Sequence, residues 1–152
     1  MTKNETILKD VAEFAEGFFE GAFDAYAHDI EKCLKDLNIT EEYIAMGVEE
    51  LKKGNFSVEA IVKALAYFGE ALEQLPDDVK DCEGLPEETE DLIKWLEKLG
   101  NTEEMTLKVL EAFFRHHKEC TADVKAAITD FEAHEFRSCG KDVGELFALV
   151  FE

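Results

Sequence analysis

Apolar residues recur every three to four positions along most of the chain, which is the spacing of one face of an α-helix. The first stretch with this spacing contains Ile7, Val11, Phe14, Phe18 and Ala25, and a second apolar row runs beside it. An apolar face this wide is typical of a helix that two neighbouring helices cover. The pattern predicts helical structure as far as Leu34, with a kink near His28.

Capping residues and breakers divide the remainder of the chain into six further helical stretches. A Ser or Thr just before an apolar run can accept hydrogen bonds from the first backbone N–H groups of a helix, and Gly or Pro ends one. The predicted starts are Thr40, Ser57, Thr102, Thr121 and about Ser138, and a further helix that carries Leu92, Trp95, Leu96 and Leu99 ends at Gly100. No strand pattern is visible. The sequence therefore predicts an all-α bundle of six to seven helices, forming a single helical domain over residues 1–152.

The segment 76–88 interrupts the helical pattern. It contains both prolines of the chain, Pro76 and Pro86, together with Gly84, and its charged residues are acidic apart from Lys80. Such segments lie on protein surfaces, because a buried loop would leave backbone polar groups without partners. We predict an acidic surface loop here, which is too short to separate two domains.

Two helical hairpins of similar build are suggested by a weak internal repeat. At an offset of eighty residues, eight positions match loosely, from Ile44 with Val124 to Tyr67 with Phe147. Each set consists of a helix, a short connector that ends in Phe, and another helix. Duplication and shared packing rules explain the repeat equally well.

Two pairs of glycines are spaced four residues apart on predicted helices. Gly17 and Gly21 lie in the first helix, and Gly140 and Gly144 lie in the last. In membranes this spacing marks helix dimerisation, but the neighbouring charges exclude that role here. We predict instead that these glycines let the first and last helices pack closely inside the bundle.

The charge balance limits the classes of partner. The chain carries 36 acidic and 16 basic residues, for a net charge of −20. A negative surface repels nucleic acid and anionic lipids and favours basic partners. No apolar run approaches the roughly 18 residues that a spanning helix needs, so no membrane insertion is expected. The polar N-terminus lacks the apolar core of a signal peptide. The localisation therefore stays open: a secreted or organelle-lumen protein if a leader was removed, and a cytoplasmic one otherwise.

Four cysteines are scattered without a C-x-x-C pair, which argues against zinc binding and thioredoxin-like redox chemistry. Two disulfides, one disulfide with two thiols, and four buried thiols are all compatible with this spacing. A hairpin of the second and third helices would bring Cys33 and Cys82 to the same end. Cys120 and Cys139 are separated by about fourteen helical residues, or roughly 20 Å, which exceeds the roughly 7 Å that a disulfide tolerates. The favoured pairing is Cys33 with Cys82, with the other two free.

The sequence lacks the common motifs for catalysis, cofactor binding and metal binding. A di-iron site in a bundle needs Glu three residues before His, whereas the residues at those positions are Ala25, Phe113, Phe114 and Phe131. His116 and Cys120 lie one helical turn apart and could share a soft metal, but a solvated helix end is the favoured interpretation. A Cys–His nucleophilic pair would lack an oxyanion hole. No catalytic, cofactor-binding or metal-binding residue is therefore assigned.

The aromatic content is the remaining indication of function. The first and fifth helices carry more aromatic residues than a single stripe needs: Phe14, Phe18, Phe19 and Phe23 in the first, and Phe113 and Phe114 in the fifth. The fifth also carries Leu107 and Leu110. Core filling is the favoured explanation. The alternatives are an apolar cavity for a hydrophobic ligand and an exposed patch for a partner.

Four short elements, in their order along the chain, resemble a set of small helical proteins of unknown function that are numerous in ciliates and other protists. They are Gly17-Phe18-Phe19-Glu20-Gly21, Lys32-Cys33-Leu34-Lys35-Asp36, Leu75-Pro76 followed by Cys82, and Gly140-Lys141-Asp142-Val143-Gly144. The resemblance implies an oxidising lumen and a disulfide between Cys33 and Cys82. It implies no activity.

By elimination, the sequence favours a non-catalytic protein that binds a protein partner or a small hydrophobic ligand. A structural subunit of a larger assembly and an enzyme without a recognisable motif are the alternatives. No cofactor and no nucleic acid are expected.

Overall fold

The computed structural model describes residues 3–28, 30–33, 40–75 and 84–152. This part of the chain forms seven α-helices and one 3₁₀ helix, and it contains no strand. The α-helices are α1 (Lys3–Phe23), α2 (Glu42–Gly54), α3 (Val58–Leu72), α4 (Thr89–Lys98), α5 (Thr102–Arg115), α6 (His117–Glu132) and α7 (Phe136–Val150), and the 3₁₀ helix is Ile30–Cys33. The predicted all-α bundle is confirmed. None of the described helices has the length and apolar character that crossing a membrane would need.

The end of α1 differs from the prediction of a kinked helix that continues to Leu34. The helix ends at Phe23, and Asp24 adopts a left-handed conformation with φ of 51°. A short polar side chain tolerates this conformation, which turns the chain out of the helix. The next two amides, of Asp24 and Ala25, donate to carbonyls of the last turn at 3.0 and 3.2 Å. The break therefore occurs four residues before the predicted kink at His28.

The predicted start at Ser57 is formed as expected, and the predicted start at Thr40 lies close to the observed one. Ser57 precedes α3, and its side-chain oxygen accepts a hydrogen bond from the amide of Ala60 at 3.3 Å. Thr40 lies two residues before α2 and is not its cap: its hydroxyl accepts from the amide of Glu42 at 3.1 Å, but the N-cap position is Glu41, whose side chain makes no cap hydrogen bond. Such caps satisfy backbone donors that have no partner within the helix.

The predicted starts of the last three helices need correction. The cap of α5 is Asn101 and not Thr102, because the Asn101 side chain accepts from the amide of Glu104 at 3.1 Å. α6 begins at His117, four residues before Thr121, since the chain leaves α5 through a single non-helical residue, His116. α7 begins at Phe136, just before the predicted Ser138.

The two hairpins exist, and their connectors show how the repeat is aligned. α2 packs against α3, and α6 packs against α7. The first connector has two left-handed residues, Asn55 (φ 46°) and Phe56 (φ 65°), and the second has His134 (φ 60°). By backbone conformation Phe56 therefore corresponds to His134, whereas the eighty-residue offset pairs it with Phe136.

The predicted close packing of the first and last helices is confirmed by the contacts of all four glycines. A Cβ atom added to Gly17 would overlap the carbonyl oxygen of Arg137, and one added to Gly140 would overlap that of Phe14. Gly21 and Gly144 face backbone atoms of the opposite helix in the same way. The absence of side chains lets the two backbones touch along one line.

A single apolar cluster fills the interior of the bundle. Its largest fully buried side chains include Phe14, Phe18, Phe19, Phe68 and Phe147. The Phe18 and Phe147 rings meet edge to face with centroids 5.0 Å apart, which joins α1 to α7. Trp95 of α4 stacks between Phe23 and Phe151, with centroid distances of 4.6 and 5.0 Å.

The predicted acidic loop, 76–88, is described only from Gly84 onward; residues 76–83 lie outside the described residues. The described end is tied to the bundle. The amide of His28 donates to the carbonyl of Gly84 at 3.2 Å, and Leu85 is 5% exposed within the core cluster.

Candidate interaction site

Neither Cys82 nor the side chain of Cys33 belongs to the described residues, so the predicted disulfide between them stays a prediction. The described neighbours of both residues do approach one another. The amide and carbonyl of Thr40 bond to the Gln74 side chain at 2.7 and 3.0 Å. The hydrogen bond between His28 and Gly84 lies on the other side of the two cysteines in sequence. Both contacts are consistent with the prediction that the segment before the second helix lies near the segment after the third.

Cys120 and Cys139 are both free and fully buried. The Cys120 thiol contacts the carbonyl of Ala112 at 3.7 Å. Burial, with a smaller contribution from Asp123, raises the pKa of Cys120 to about 11. Burial raises the pKa of Cys139 as well. Both side chains are therefore neutral thiols at physiological pH, which makes them poor nucleophiles and poor metal ligands.

The contact that His116 makes is with Glu152 and not with Cys120, although His116 and Cys120 lie one helical turn apart in sequence. Its Nε2 atom lies 2.8 Å from Oε2 of Glu152, at the other end of the chain. No group of three or more His, Cys, Asp or Glu side chains able to hold a metal occurs within the described ranges.

The aromatic residues that sequence analysis singled out fill the core, with one exception. Phe14, Phe18 and Phe19 are at most 1% exposed, and Phe23 and Phe113 pack against the same cluster. Phe114 is 90% exposed. This ring is open to solvent and takes no part in core packing.

The exposure of Phe114 follows from the two apolar faces of α5. Its inner face consists of Met105, Val109 and Ala112, which are at most 3% exposed. Its outer face carries Leu107, Leu110 and Phe114, which are 68%, 49% and 90% exposed. We call these three residues the α5 stripe. Their spacing of three and four residues places them on one face of the helix.

A groove lies beside the α5 stripe, between α3 and the start of α5. It has a volume of about 330 Å³ and is mainly apolar. Its lining includes Val58, Val62 and Ala66 of α3, Leu99, and Thr102 and Thr106 of α5. Thr106 lies one turn before Leu110, so the groove continues onto the α5 stripe. The groove and the α5 stripe are therefore neighbouring apolar features of the surface.

Acidic side chains border this surface, while the nearby basic groups have partners within the chain. Glu103 and Glu104 are in the first turn of α5. Arg115 is paired with Glu111 at 2.6 Å, and Lys63 with Glu59 at 3.5 Å. Lys108 lies over the Phe151 ring, 5.8 Å from its centroid.

A second feature, which sequence reasoning missed, is a set of carboxyl pairs between α6 and α7. Asp123 is 8% exposed and hydrogen-bonds to Glu145, and Asp142 hydrogen-bonds to Asp130. Burial is the largest cause that raises the pKa of Asp123 and of Asp142, in each case to about 8, and the acidic partner adds to it. Two carboxyl groups in contact cannot both ionise at low cost.

The sequence contains a signal for both features, although neither is specific. Asp123 lies three residues after Cys120 and four before Ala127, which places a carboxyl group on the apolar face of α6. α5 has more apolar residues than one face can hold. The abundance of acidic residues hid the first signal. The second left open which of the two faces was buried.

Comparison with known proteins shows which family the chain belongs to. A family model described as SctB-like, or Secreted protein B-like, matches residues 1–152. The chain belongs to the SctB-like family. This SctB-like chain is also 23% identical over 149 residues to Secreted protein A of Dictyostelium discoideum, across 94% of the chain and 85% of the relative. No solved structure matches it significantly. The resemblance to small helical proteins of ciliates and other protists stays a prediction.

Proposed function

We propose that this SctB-like chain is a secreted, non-catalytic protein that binds a basic, amphipathic helix of another protein along the α5 stripe and the adjoining groove. The observation that carries the proposal is the exposure of Leu107, Leu110 and Phe114 on a helix whose opposite face is already buried. Covering side chains of this size stabilises a complex by about 1.5–3 kcal/mol each.

The charge of the chain favours a basic partner over a second copy. Two molecules that each carry a net charge of −20 repel one another. Glu103 and Glu104 border the surface, so a helix with Lys or Arg beside its apolar face would gain attraction as well as burial. Recognition of an amphipathic helix by an apolar groove is a recurring mode of protein binding.

Secretion is supported by the names of the family and of the relative in Dictyostelium discoideum. A disulfide between Cys33 and Cys82 would fit the oxidising environment that secreted proteins meet. We include this disulfide in the proposal. The test of secretion is direct: a C-terminally tagged chain should accumulate in the medium of the cells that produce it, and its retention inside them would contradict this part of the proposal.

Binding can be tested with a synthetic helix, because the natural partner is not identified. The probe is an 18-residue amphipathic peptide with Leu on one face and Lys on the other, titrated against the chain by calorimetry. The matched peptide keeps the Leu face and carries Glu in place of Lys. We expect the Lys peptide to bind at least about tenfold more tightly, a difference of about 1.4 kcal/mol.

Variants locate the binding surface. The double substitution Leu107→Gln and Phe114→Gln should weaken binding of the Lys peptide at least about tenfold, because it removes apolar contact from the centre of the site. The control is Tyr26→Gln, which removes an aromatic ring that is 76% exposed but far from α5 in sequence. Equal losses in the two variants, or no loss in either, would show that the peptide binds by charge alone and would refute the proposed surface.

The alternative occupants give distinct outcomes. If the α5 stripe pairs two copies, sedimentation will show a dimer that Phe114→Gln dissociates. If the groove holds a small hydrophobic ligand, native mass spectrometry of the protein from its producing cells will show an added mass that Val62→Glu removes. Either result would overturn the choice of a basic helix as partner.

A further inference from the structure

We propose that the interface between α6 and α7 is a pH-responsive contact, which tightens in acid because its facing, partly buried carboxyl groups share protons and loosens near neutral pH because they repel. The pairs are Asp123 with Glu145 and Asp130 with Asp142. This inference uses different residues from the proposed binding surface and does not depend on it.

Acidic side chains face one another across the hairpin of α6 and α7, at positions where oppositely charged side chains would stabilise it. Asp123 and Asp130 lie on α6, and their partners Glu145 and Asp142 lie on α7, so each pair joins the two helices. Asp123 is 8% exposed, and Oδ2 of Asp142 is buried without a hydrogen-bond partner among the described residues. A buried carboxylate oxygen without a donor is costly when charged and much less so when protonated.

The basic residues of α7 do not offset these charges. Arg137 contacts Glu16 and Glu20 of α1 at 3.3 and 3.4 Å, and Lys141 contacts Glu20 at 3.6 Å. α7 therefore directs its cations toward α1 and its carboxyl groups toward α6. The groups that act electrostatically on Asp123 are Glu145 and Glu119.

The same holds for the second pair, since the groups acting on Asp142 are Asp130, Glu145 and Asp123, all of them acidic. Two further contacts involve residues of this hairpin and the elements beside it. Lys52 of α2 bonds to Glu132 at 3.0 Å. His116, which joins α5 to α6, lies 2.8 Å from Glu152.

The direction of the pH effect follows from proton binding. The pKa of Asp123 and of Asp142 rises from 3.8 to about 8 on folding. Between these values the folded chain holds protons that the unfolded chain has released. Stability is therefore greatest in acid and falls as the pH rises through this range. Ordinary salt-bridged carboxylates, whose pKa falls on folding, give the opposite slope.

The experiment is urea unfolding at pH 5, 6, 7 and 8, followed by the fluorescence of Trp95, the single tryptophan. Each proton retained on folding changes the folding equilibrium constant by about tenfold per pH unit. Because both aspartates are only partly desolvated, we expect a loss of at least about tenfold between pH 5 and 7 in the wild-type chain. A stability that is constant or that rises across this range would overturn the proposal.

Variants distinguish the contribution of the carboxyl pairs to the pH dependence of stability from the contribution of other titratable groups. The double substitution Asp123→Asn and Asp142→Asn removes one ionisable member of each pair and should flatten the slope, so that the variant is more stable than wild type at pH 7. Glu87→Gln with Glu90→Gln removes two exposed acids and should leave the slope intact. His116→Gln should also leave most of it. A slope that survives in the Asn variant, or vanishes in either control, would refute the assignment.

A direct measurement keeps the test decisive if the Asn variant does not fold. Carbon-detected NMR of the side-chain carboxyl groups in the wild-type chain reports their titration one by one. At least one carboxyl of each pair should remain protonated above pH 6. If all four titrate below pH 5, the α6–α7 interface carries no pH response.

Discussion

Gly140 of α7 lies directly against the carbonyl oxygen of Phe14 in α1. The contact is reciprocal, because Gly17 of α1 lies against the carbonyl oxygen of Arg137 in the same way. The first and last helices of the chain therefore meet backbone to backbone, at a distance that any side chain would increase. Around this contact, Phe14 and Phe18 of α1 reach the core beside Phe147.

Gly140→Ala should destabilise the bundle, because the new methyl group would overlap the backbone of α1 and backbone atoms cannot move aside singly. Overpacking of this kind costs about 1–3 kcal/mol, and here the upper end is expected. The measurement is the free energy of unfolding in urea. Gly100→Ala is the control, since its Cβ would lie 3.7 Å from the nearest carbonyl oxygen, an ordinary contact. Equal stabilities of the two variants would contradict the close packing.

Substitutions on the two faces of α5 should change the stability of the bundle by very different amounts. Met105→Ala removes a fully buried side chain and should cost about 2–5 kcal/mol. Phe114→Gln changes a side chain that is 90% exposed and should alter stability by no more than about 0.5 kcal/mol. Thermal melts of the two variants compare these losses of stability. A large loss for Phe114→Gln would mean that the bundle covers this ring.

The reactivity of the cysteines tests the proposed disulfide. In the unfolded, unreduced protein we expect two reactive thiols, from Cys120 and Cys139, and four after reduction. In the folded protein these two should react slowly with a thiol reagent at pH 8, because both are buried and their pKa values are raised. Four reactive thiols in the unreduced, unfolded protein would exclude the disulfide between Cys33 and Cys82.

Removing the cap of α3 should have a moderate effect. Ser57→Ala deletes the oxygen that accepts from the amide of Ala60, and loss of such a cap costs about 1 kcal/mol. Ser57→Gly retains flexibility at the cap and should cost less. Chemical denaturation of both variants provides the comparison. If Ser57→Ala is as stable as wild type, the long 3.3 Å bond contributes nothing measurable.

Local patterns anticipated the helical elements well and their ends less well. Ser57 was predicted and confirmed as a cap because its hydroxyl has to reach only three residues along the chain. The end of α1 was misplaced because Asp24 is an ordinary polar residue in sequence, and only its φ of 51° shows that it ends the helix. Asn101 was passed over in favour of Thr102, since both residue types cap helices and neighbouring positions compete.

The periodicity of apolar residues, together with the paired glycines, was enough to establish an all-α bundle in which the first and last helices touch. These features depend on spacing within single helices, which the order of residues specifies. The choice of inner face on α5, the pairing of Asp123 with Glu145 and the partner of His116 depended on the tertiary structure. In each of these cases the deciding neighbour belongs to a different part of the chain, so that its distance and the solvent it displaces have no counterpart in local sequence.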